Sequence, residues 1–368
     1  MNRKKIIFLL NHFQYSDGVA MALVNIVNSL NQEKFDITIK PLYKFEKELA
    51  NELNEGIKIE PAFGFYFKGM AKLLKIIPID LLYKKIVGLN YDIEVAFQCD
   101  ISTLLVGHSL NNHAVHVAWM HGYEIYPQEY MKMDKVVCVS KYCRDKAQSE
   151  IPECKNIICK YNLVQENVIK KQSEDIIDNN LFDSDNPIFV SVGRHSEEKG
   201  YVRLINIFKE LKDEGYQFKM ILVGDGPEHQ NIVNEVKNLG LDEDVILIGM
   251  DKNPHKYTAK SDVFICSSYS EGYSTACAEA AVLGIPIITT DVPGGKEIID
   301  DCECGILTEN TDESLKNGIK HVLENGNEIN DWKNIMKNTS CKFGIESRKK
   351  EMLHFFDEIY SLSCIREE

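Results

Sequence analysis

The feature that most constrains the fold is a repeated alternation of short apolar segments with longer amphipathic ones. In the first half, residues 4–11 have the pattern of a buried strand, residues 19–30 have helical periodicity, and residues 36–41 alternate like a second strand. Further strand candidates occupy residues 93–97, 114–119, 135–140 and 156–160. A second run begins at Pro187, with strand candidates at 188–192, 218–223, 245–248, 263–266 and 286–289 and helices such as 203–214 and 227–239. Strand–helix alternation is typical of parallel sheets, so the sequence predicts an α/β chain with two doubly wound, Rossmann-like sheets.

The length of the chain fits two such sheets, because 368 residues correspond to two domains of ordinary size. A polar, acidic stretch at 165–186 is predicted to link them, which gives an N-terminal domain at 1–163 and a C-terminal domain at 164–345. Residues from about 346 to 368 have the pattern of an amphipathic helix, which is expected to pack back on the first domain. Ligands of such sheets bind beyond the carboxyl ends of the strands, so two facing sheets would form a cleft between the domains.

Charge and composition narrow the classes of function. The net charge is −14, and the acidic excess lies in the second half, which argues against nucleic acid as a partner. No apolar run is long enough to span a bilayer, and the N-terminus reads as a buried strand rather than as an export signal. The 11 cysteines are an odd number without a Cys-x-x-Cys pair, so we expect reduced thiols in the cytoplasm. His108, His113 and His116 lie close together without suitable companion ligands, so no metal site is predicted.

Residues 268–286 carry the strongest local signal for a ligand site. Ser274 and Thr275 are good N-cap residues before a small, alanine-rich helix. The N–H groups of its first turn and the positive end of its dipole favour an anion such as phosphate. Glu271 and Glu279 are eight residues apart, about 80° of rotation and roughly 12 Å of rise on a helix, which is too far for a close acid pair. We expect them to hold opposite ends of a ligand with an anionic middle, such as a nucleotide diphosphate sugar; an ordinary helix with an acidic lead-in is the alternative.

Two glycine-containing loops follow strands of the second half. The first, residues 191–200, carries Arg194 and Lys199, and both cations could reach a diphosphate, although ordinary loop cations explain them as well. The second, residues 223–228, contains a Gly-x-Gly pair. His229 stands where a dinucleotide fingerprint has its third glycine, which argues against a Rossmann dehydrogenase.

The first half offers two more candidates. Gly18 lies in a turn at a helix start, where a backbone can approach a ligand. His121 follows a buried strand and could donate to a hydroxyl or to a developing charge. A structural histidine at a strand end is the alternative.

Residues 63–89 form a basic and aromatic tract. Five lysines, interleaved with aromatic and aliphatic residues, face a single acid, Asp80. These lysines are Lys68, Lys72, Lys75, Lys84 and Lys85. The pattern is compatible with peripheral contact with an anionic membrane or a lipid-linked acceptor, and equally with an amphipathic helix pair packed on its own domain.

Taken together, these segments resemble the retaining glycosyltransferases of family 4, which have the GT-B fold. The resemblance is strong and ordered over residues 187–299 and looser over the first half. It rests on the glycine loop with Gly18, the His-Gly pair at His121, GRHSEEKG, VGDGP, SDVFICSSYSEGYSTACAEA and VPGGKEII.

The resemblance implies roles for the residues of the 271–279 segment. Glu271 matches the first glutamate of the family's Glu-x7-Glu motif, which contacts hydroxyls of the donor sugar. Glu279 matches the glutamate that holds the nucleotide ribose. The intervening residues match the segment whose backbone meets the sugar and the diphosphate, with tyrosine where phenylalanine is common; they are Gly272, Tyr273, Ser274 and Thr275.

The resemblance also implies roles for the other loops. Arg194 and Lys199 match the pair that neutralises the departing diphosphate, and His121 matches a histidine near the transferred sugar. Gly18 matches the loop that lies close to the diphosphate, where Asp17 replaces the first of the usual paired glycines.

The implied function is that of a GT-B hexosyltransferase with an acceptor-side first domain and a donor-binding second domain. It would transfer a sugar with retention from a nucleotide-diphosphate sugar, expected to be UDP-linked, to a hydroxyl of a saccharide or lipid-linked acceptor. The implied setting is cell-surface polysaccharide or glycolipid synthesis, in the cytoplasm or at the inner face of the membrane, without a metal or another cofactor. The alternatives are a nucleotide-sugar epimerase of the same architecture and a non-catalytic nucleotide-sugar-binding protein.

Overall fold

The computed structural model of the chain describes residues 3–15, 17–67, 69–122, 124–177 and 181–366. The chain divides into two compact units. Unit 1 comprises Met1–Leu163 and Arg348–Glu368, and unit 2 comprises Val164–Ser347.

Unit 1 is built on a parallel sheet of seven strands. They are β1 (Lys4–Phe13), β2 (Phe35–Phe45), β3 (Lys58–Ile59), β4 (Ile93–Ala96), β5 (Val115–Met120), β6 (Lys135–Cys138) and β7 (Ile157–Cys159), in the spatial order β3-β2-β1-β4-β5-β6-β7. The helices between them are α1 (Gly18–Val27), α2 (Met70–Leu74), α3 (Ile79–Ile86), α4 (Ile101–Gly107), α5 (Pro127–Tyr130) and α6 (Lys141–Glu150). The central strands are buried along most of their length, as expected for a parallel sheet with both faces covered.

Unit 2 is built on a second parallel sheet, of six strands. They are β8 (Ile188–Val192), β9 (Lys219–Val223), β10 (Val245–Gly249), β11 (Val263–Cys266), β12 (Ile287–Thr290) and β13 (Ile306–Thr308), in the order β10-β9-β8-β11-β12-β13. Its helices are α7 (Glu166–Ser173), α8 (Tyr201–Asp213), α9 (His229–Asn238), α10 (His255–Lys260), α11 (Thr275–Val282), α12 (Gly295–Cys302), α13 (Asp312–Glu324) and α14 (Asn327–Thr339). The strand order reverses between β8 and β11. The loops after these two strands therefore flank the switch point at which such sheets bind ligands.

The last helix, α15 (Ile345–Ile365), covers the sheet of unit 1 with its apolar face. Phe356 packs against Phe8, Phe35 and Trp119, with ring centroids 6.2, 6.2 and 6.3 Å away. Near the end of the helix, the Arg366 guanidinium forms an ion pair with Asp134. These contacts make α15 part of the core of unit 1.

The predicted α/β class with two parallel sheets is confirmed. β3 and β13, of two and three residues, were not predicted. Among the described helices, none has both the length and the apolar character needed to cross a bilayer.

The prediction of a linker at 165–186 is wrong over α7. This segment is a regular helix that packs within unit 2, where Ile169 is buried and Asn253 Nδ2 donates to the carbonyl oxygen of Gln172 (2.8 Å). The charged residues of this stretch form the solvent-exposed face of that helix, where Lys170 and Glu166 make an ion pair. Residues 178–180 of the same stretch lie outside the described residues.

Candidate active site

The loop after β9 packs closely against the loop after β8, which flanks the switch point of unit 2. The His195 N–H donates to the carbonyl oxygen of Asp225 (2.9 Å), and the Glu228 N–H donates to that of His195 (2.8 Å). Gly224 has φ +145°, and a Cβ built on it would lie 1.9 Å from the carbonyl oxygen of Gly193. The Gly-x-Gly pair at this position therefore serves the close approach of two backbones, a role that the sequence did not reveal.

Of the two cations in the β8 loop, Lys199 is the one that has an ion-pair partner in the described part of the chain. Its Nζ donates to Glu271 Oε1 at 2.6 Å, and the side chains are 25% and 10% exposed. Burial lowers the pKa of Lys199, but the facing carboxylate outweighs this effect and raises the pKa above its usual value. Arg194 is exposed and makes no ion pair with the described residues. A bound anion could therefore pair directly with the Arg194 guanidinium, whereas Lys199 is already paired with Glu271.

The Lys199–Glu271 pair lines a small pocket at the carboxyl ends of β8 and β11. Glu271 Oε1 also accepts from Ser268 Oγ (2.7 Å), which fixes the orientation of the carboxylate. The other lining residues are mainly small or polar. They are Ser191, Val192, Tyr201, Phe264, Cys266, Ser267 and Ser274.

Arg203 on α8 holds the loop that carries Glu271, and sequence reasoning missed it. The side chain is 5% exposed, and its Nε and Nη2 donate to the carbonyl oxygen of Ser267 (3.0 and 2.6 Å). Nη2 also donates to Asn310 Oδ1 (2.9 Å), and the guanidinium lies 4.0 Å from the ring centroid of Tyr269. Arg203 is thus a positioning residue. Its partners are more than 60 positions away, so no local pattern marks it.

Helix α11 begins beside this pocket, as the N-cap residues predict. Ser274 is the N-cap, and its Oγ accepts from the Cys277 N–H (3.3 Å). Gly272 and Tyr273, just before the cap, are buried, whereas Thr275 is half-buried. The first turn of α11 offers N–H groups and a positive dipole end next to the Lys199–Glu271 pair.

Glu279 is a half-buried acid on the same helix. Among the residues that the structure describes, none forms a hydrogen bond or an ion pair with its carboxylate. Burial raises the pKa of Glu279 to about 7. Neither Glu279 nor Arg194 lines the pocket around Glu271. The structure thus brings Lys199, Glu271 and Ser274 together and places Arg194 and Glu279 outside that group.

The two candidates in unit 1 lie at the ends of elements in the first sheet. Gly18 is the first residue of α1, after Asp17, whose carboxylate caps the helix by accepting from the Val19 N–H (2.9 Å). His121 follows β5 with its ring against Phe97, at a centroid distance of 4.8 Å. Its Nε2 is buried without a hydrogen-bond partner among the described residues. Burial lowers the pKa of His121 to about 3, so the ring is neutral near pH 7.

Comparison with known proteins identifies relatives of this site. The family model described as "Glycosyl transferases group 1" matches residues 172–339. A Campylobacter jejuni protein, N-acetylgalactosamine-N,N'-diacetylbacillosaminyl-diphospho-undecaprenol 4-alpha-N-acetylgalactosaminyltransferase, is 32% identical over 186 residues, which is 50% of this chain and 48% of that protein. The chain thus spans about half of this relative. An uncharacterised glycosyltransferase of Haemophilus influenzae is 23% identical over 88% of this chain and 91% of its own length.

Solved structures extend the similarity to the whole chain. The crystal structure of Anabaena HepE in complex with UDP and glucose aligns with a TM-score of 0.73 at 16% identity, covering 98% of this chain and all of that one. Because the identity is low, this likeness concerns the fold alone. It confirms the GT-B fold expected from the sequence.

Proposed function

Because the family model of the group 1 glycosyl transferases matches residues 172–339, we propose that the chain belongs to that family and transfers a sugar from a nucleotide-diphosphate sugar to a hydroxyl acceptor. The observation that carries the proposal is the half-buried Lys199–Glu271 pair beside the start of α11. A cation, a carboxylate and a helix N-terminus at one switch point suit a ligand that combines an anionic diphosphate with a hydroxyl-rich sugar.

In the proposed mechanism, unit 2 stabilises the leaving group. As the bond between the sugar and the diphosphate breaks, negative charge develops on the phosphate oxygens. Lys199, the exposed Arg194 guanidinium and the backbone at the start of α11, at Gly272, Ser274 and Thr275, are proposed to stabilise that charge. They lower the barrier because their interaction is stronger with the departing diphosphate than with the intact donor.

Glu271 and Glu279 are proposed to grip the donor on either side of its diphosphate. The orientation of Glu271, set by Lys199 and Ser268, leaves its remaining acceptor capacity for hydroxyls of the sugar. Glu279 lacks a partner among the described residues and would accept hydrogen bonds from the ribose hydroxyls. Tyr273 would close the site between them.

UDP is the proposed nucleotide, and retention the proposed stereochemistry. The HepE structure contains UDP and glucose, and a structurally similar Staphylococcus aureus TarM structure contains UDP, which supports the choice of base.

Two residues of unit 1 are also proposed to take part. The neutral His121 ring would contact the transferred sugar, and the turn at Gly18 would approach the diphosphate. We propose that no metal and no further cofactor takes part. The anomeric configuration of the product, read by NMR, tests retention.

The proposed acceptor is a saccharide or a lipid-linked saccharide of a cell-surface polymer. A lipid carrier is supported by the C. jejuni relative, whose name specifies a diphospho-undecaprenol substrate. The proposal therefore includes a cytoplasmic location at the inner face of the membrane, with peripheral contact through residues 63–89.

A thermal-shift panel of nucleotides and nucleotide sugars tests the donor site. A ligand at one hundred times its Kd stabilises the folded state by about 2.7 kcal/mol, so we expect one nucleoside diphosphate family to raise the Tm. The shift should be weaker in Glu279→Ala and unchanged in Glu313→Ala, which removes an exposed glutamate of α13. No shift at millimolar ligand would contradict the proposal.

A second variant distinguishes the proposed enzyme from a non-catalytic nucleotide-sugar-binding protein. His121→Ala should abolish sugar transfer and leave the nucleotide-induced shift intact, because the nucleotide is proposed to bind unit 2. Normal turnover in His121→Ala would remove this residue from the mechanism. Interconversion of the free nucleotide sugar without transfer would favour the epimerase alternative.

Glu279 also gives a signature in the pH dependence of stability. Its pKa is about 7 in the folded state and near 4.5 in an unfolded chain, so between these values only the folded state retains the proton. The free energy of unfolding should therefore fall as the pH rises through this window. Glu279→Gln should lack this component, as measured by urea unfolding at several pH values. Parallel pH profiles for the two proteins would show that folding does not raise the pKa of Glu279.

A further inference from the structure

The basic tract of residues 63–89 carries a concentration of exposed apolar side chains. Eight of the 17 large hydrophobic side chains that are exposed in the described parts of the chain lie between residues 65 and 89. Phe65, Ile76 and Leu81 are 65, 78 and 60% exposed. The others in the tract are Tyr66, Phe67, Leu73, Ile77 and Leu89. Single exposed apolar residues are normal, but a cluster of this kind marks an interaction surface.

Packing of α2 and α3 on their own domain does not account for these side chains. The inner faces of both helices are already buried through Met70 and Leu74 of α2 and Leu82 and Ile86 of α3. Tyr83 anchors α3 further, because its hydroxyl donates to the buried Glu94 carboxylate (2.5 Å). Both helices therefore already pack on unit 1 through these buried residues. The exposed side chains belong to a second apolar face.

The second face combines apolar and cationic residues at helical spacing. Leu81 and Lys85, both exposed, are four residues apart, which places them on one side of α3, and the exposed Ile77 lies just before the helix. Lys72 and Lys84 are exposed and make no ion pair with the described residues. The tract has five lysines against one aspartate, a charge of +4 in a chain whose net charge is −14. Lys68 lies outside the described residues.

We infer that residues 63–89 form a docking surface for the anionic headgroups of a lipid bilayer, into which the exposed aromatic and aliphatic side chains insert. Lysines bury their apolar stems along a membrane interface while their ammonium groups meet lipid phosphates. Protein–protein interfaces, by contrast, are depleted in lysine. The interleaving of lysines with large apolar residues therefore favours a bilayer over a protein partner.

The docking surface is connected to the carboxyl edge of the first sheet. Lys75, which follows α2, forms a 2.5 Å ion pair with Asp100 in the loop after β4. The Tyr66 ring packs 6.0 Å from those of His12 and Tyr43, at the ends of β1 and β2. Docking would thus hold the bilayer beside the sheet edge where unit 1 is expected to receive its ligand. In this respect the inference rests on the proposed function, since a lipid-linked acceptor would arrive there from the bilayer.

Vesicle co-sedimentation of the full chain tests the inference. Wild type should bind vesicles made of equal parts phosphatidylcholine and phosphatidylglycerol and should not bind phosphatidylcholine alone. The Lys72→Gln/Lys84→Gln variant should bind roughly 30-fold more weakly, because each lysine near an anionic surface contributes about a five-fold factor. The Ile76→Ser/Leu81→Ser variant should also lose binding.

Matched variants elsewhere serve as controls. Ile176→Ser/Ile365→Ser removes two exposed isoleucines, and Lys132→Gln/Lys237→Gln makes the same change of charge at exposed sites; both should bind like wild type. Four outcomes would each overturn the inference: absence of vesicle binding, equal binding to neutral vesicles, equal loss of binding in the controls, or self-association through the tract without vesicle binding.

The thermal shift with UDP is a separate measurement, which distinguishes this inference from the proposed function. A shift without vesicle binding rejects the docking surface alone, and vesicle binding without any nucleotide shift rejects the proposed transferase alone.

Discussion

Replacing Lys199 by alanine should lower the rate of sugar transfer by about 10³-fold, or about 4 kcal/mol of transition-state stabilisation. Lys199 lies in the pocket with its charge fixed by Glu271 at 2.6 Å, so no reorganisation is needed when the diphosphate departs. Steady-state kinetics should show the loss in kcat as well as in kcat/KM. An interaction formed mainly with the departing group acts on the chemical step.

The same substitution should also affect the loop that carries Glu271. Without its cation, the Glu271 carboxylate, 10% exposed, keeps Ser268 and Cys266 as its neighbouring side-chain donors among the described residues. Glu271→Gln removes that unpaired charge, so the effects of Lys199→Ala and Glu271→Gln on stability should not be additive. A double-mutant cycle by urea unfolding measures this coupling.

A lysine–acid pair outside the pocket provides the control for Lys199. Lys209 pairs with Asp213 along the exposed side of α8, and Lys209→Ala should change transfer little and stability by less than about 0.5 kcal/mol. If Lys199→Ala kept a rate within ten-fold of wild type, leaving-group stabilisation would have to come from Arg194 and α11 alone.

The sequence predicts local features of the site better than its long-range ones. Ser274 was expected to cap a helix because its neighbours have helical propensity, and the structure has that cap. Lys199 and Glu271 are 72 residues apart, yet the alternation of strands and helices already places their loops on one sheet edge. Their direct ion pair follows from β8 and β11 being neighbours, which the sequence does not state.

Features that depend on distant partners escaped prediction. Arg203 lies in an ordinary amphipathic helix pattern, and only the fold shows that its guanidinium reaches Ser267 and Asn310. The close contact between the backbones at Gly224 and Gly193 could not be predicted either, because Gly193 lies 31 residues earlier in the chain. Helix α7 was missed for a different reason. Its charged residues dominate the composition, whereas one buried residue, Ile169, marks its inner face.

Replacing Phe356 by alanine should destabilise unit 1 by about 4 kcal/mol. The ring is 1% exposed and contacts Phe8, Phe35 and Trp119, so truncation removes a large apolar side chain and leaves a cavity lined by rigid rings. The effect should be confined to unit 1, since these partners belong to its sheet.

The two tryptophans allow this confinement to be measured. Trp119 belongs to unit 1 and Trp332 to unit 2, so urea unfolding followed by fluorescence in a Trp332→Phe background reports unit 1 alone. His354→Ala, at an exposed position of the same helix, should change the free energy of unfolding by less than about 0.5 kcal/mol. A loss of less than about 1 kcal/mol for Phe356→Ala would mean that the cavity collapses or that α15 contributes little to the core. A loss near 4 kcal/mol would show that unit 1 depends on a helix that follows unit 2 in the chain. Its folding would then require the whole polypeptide.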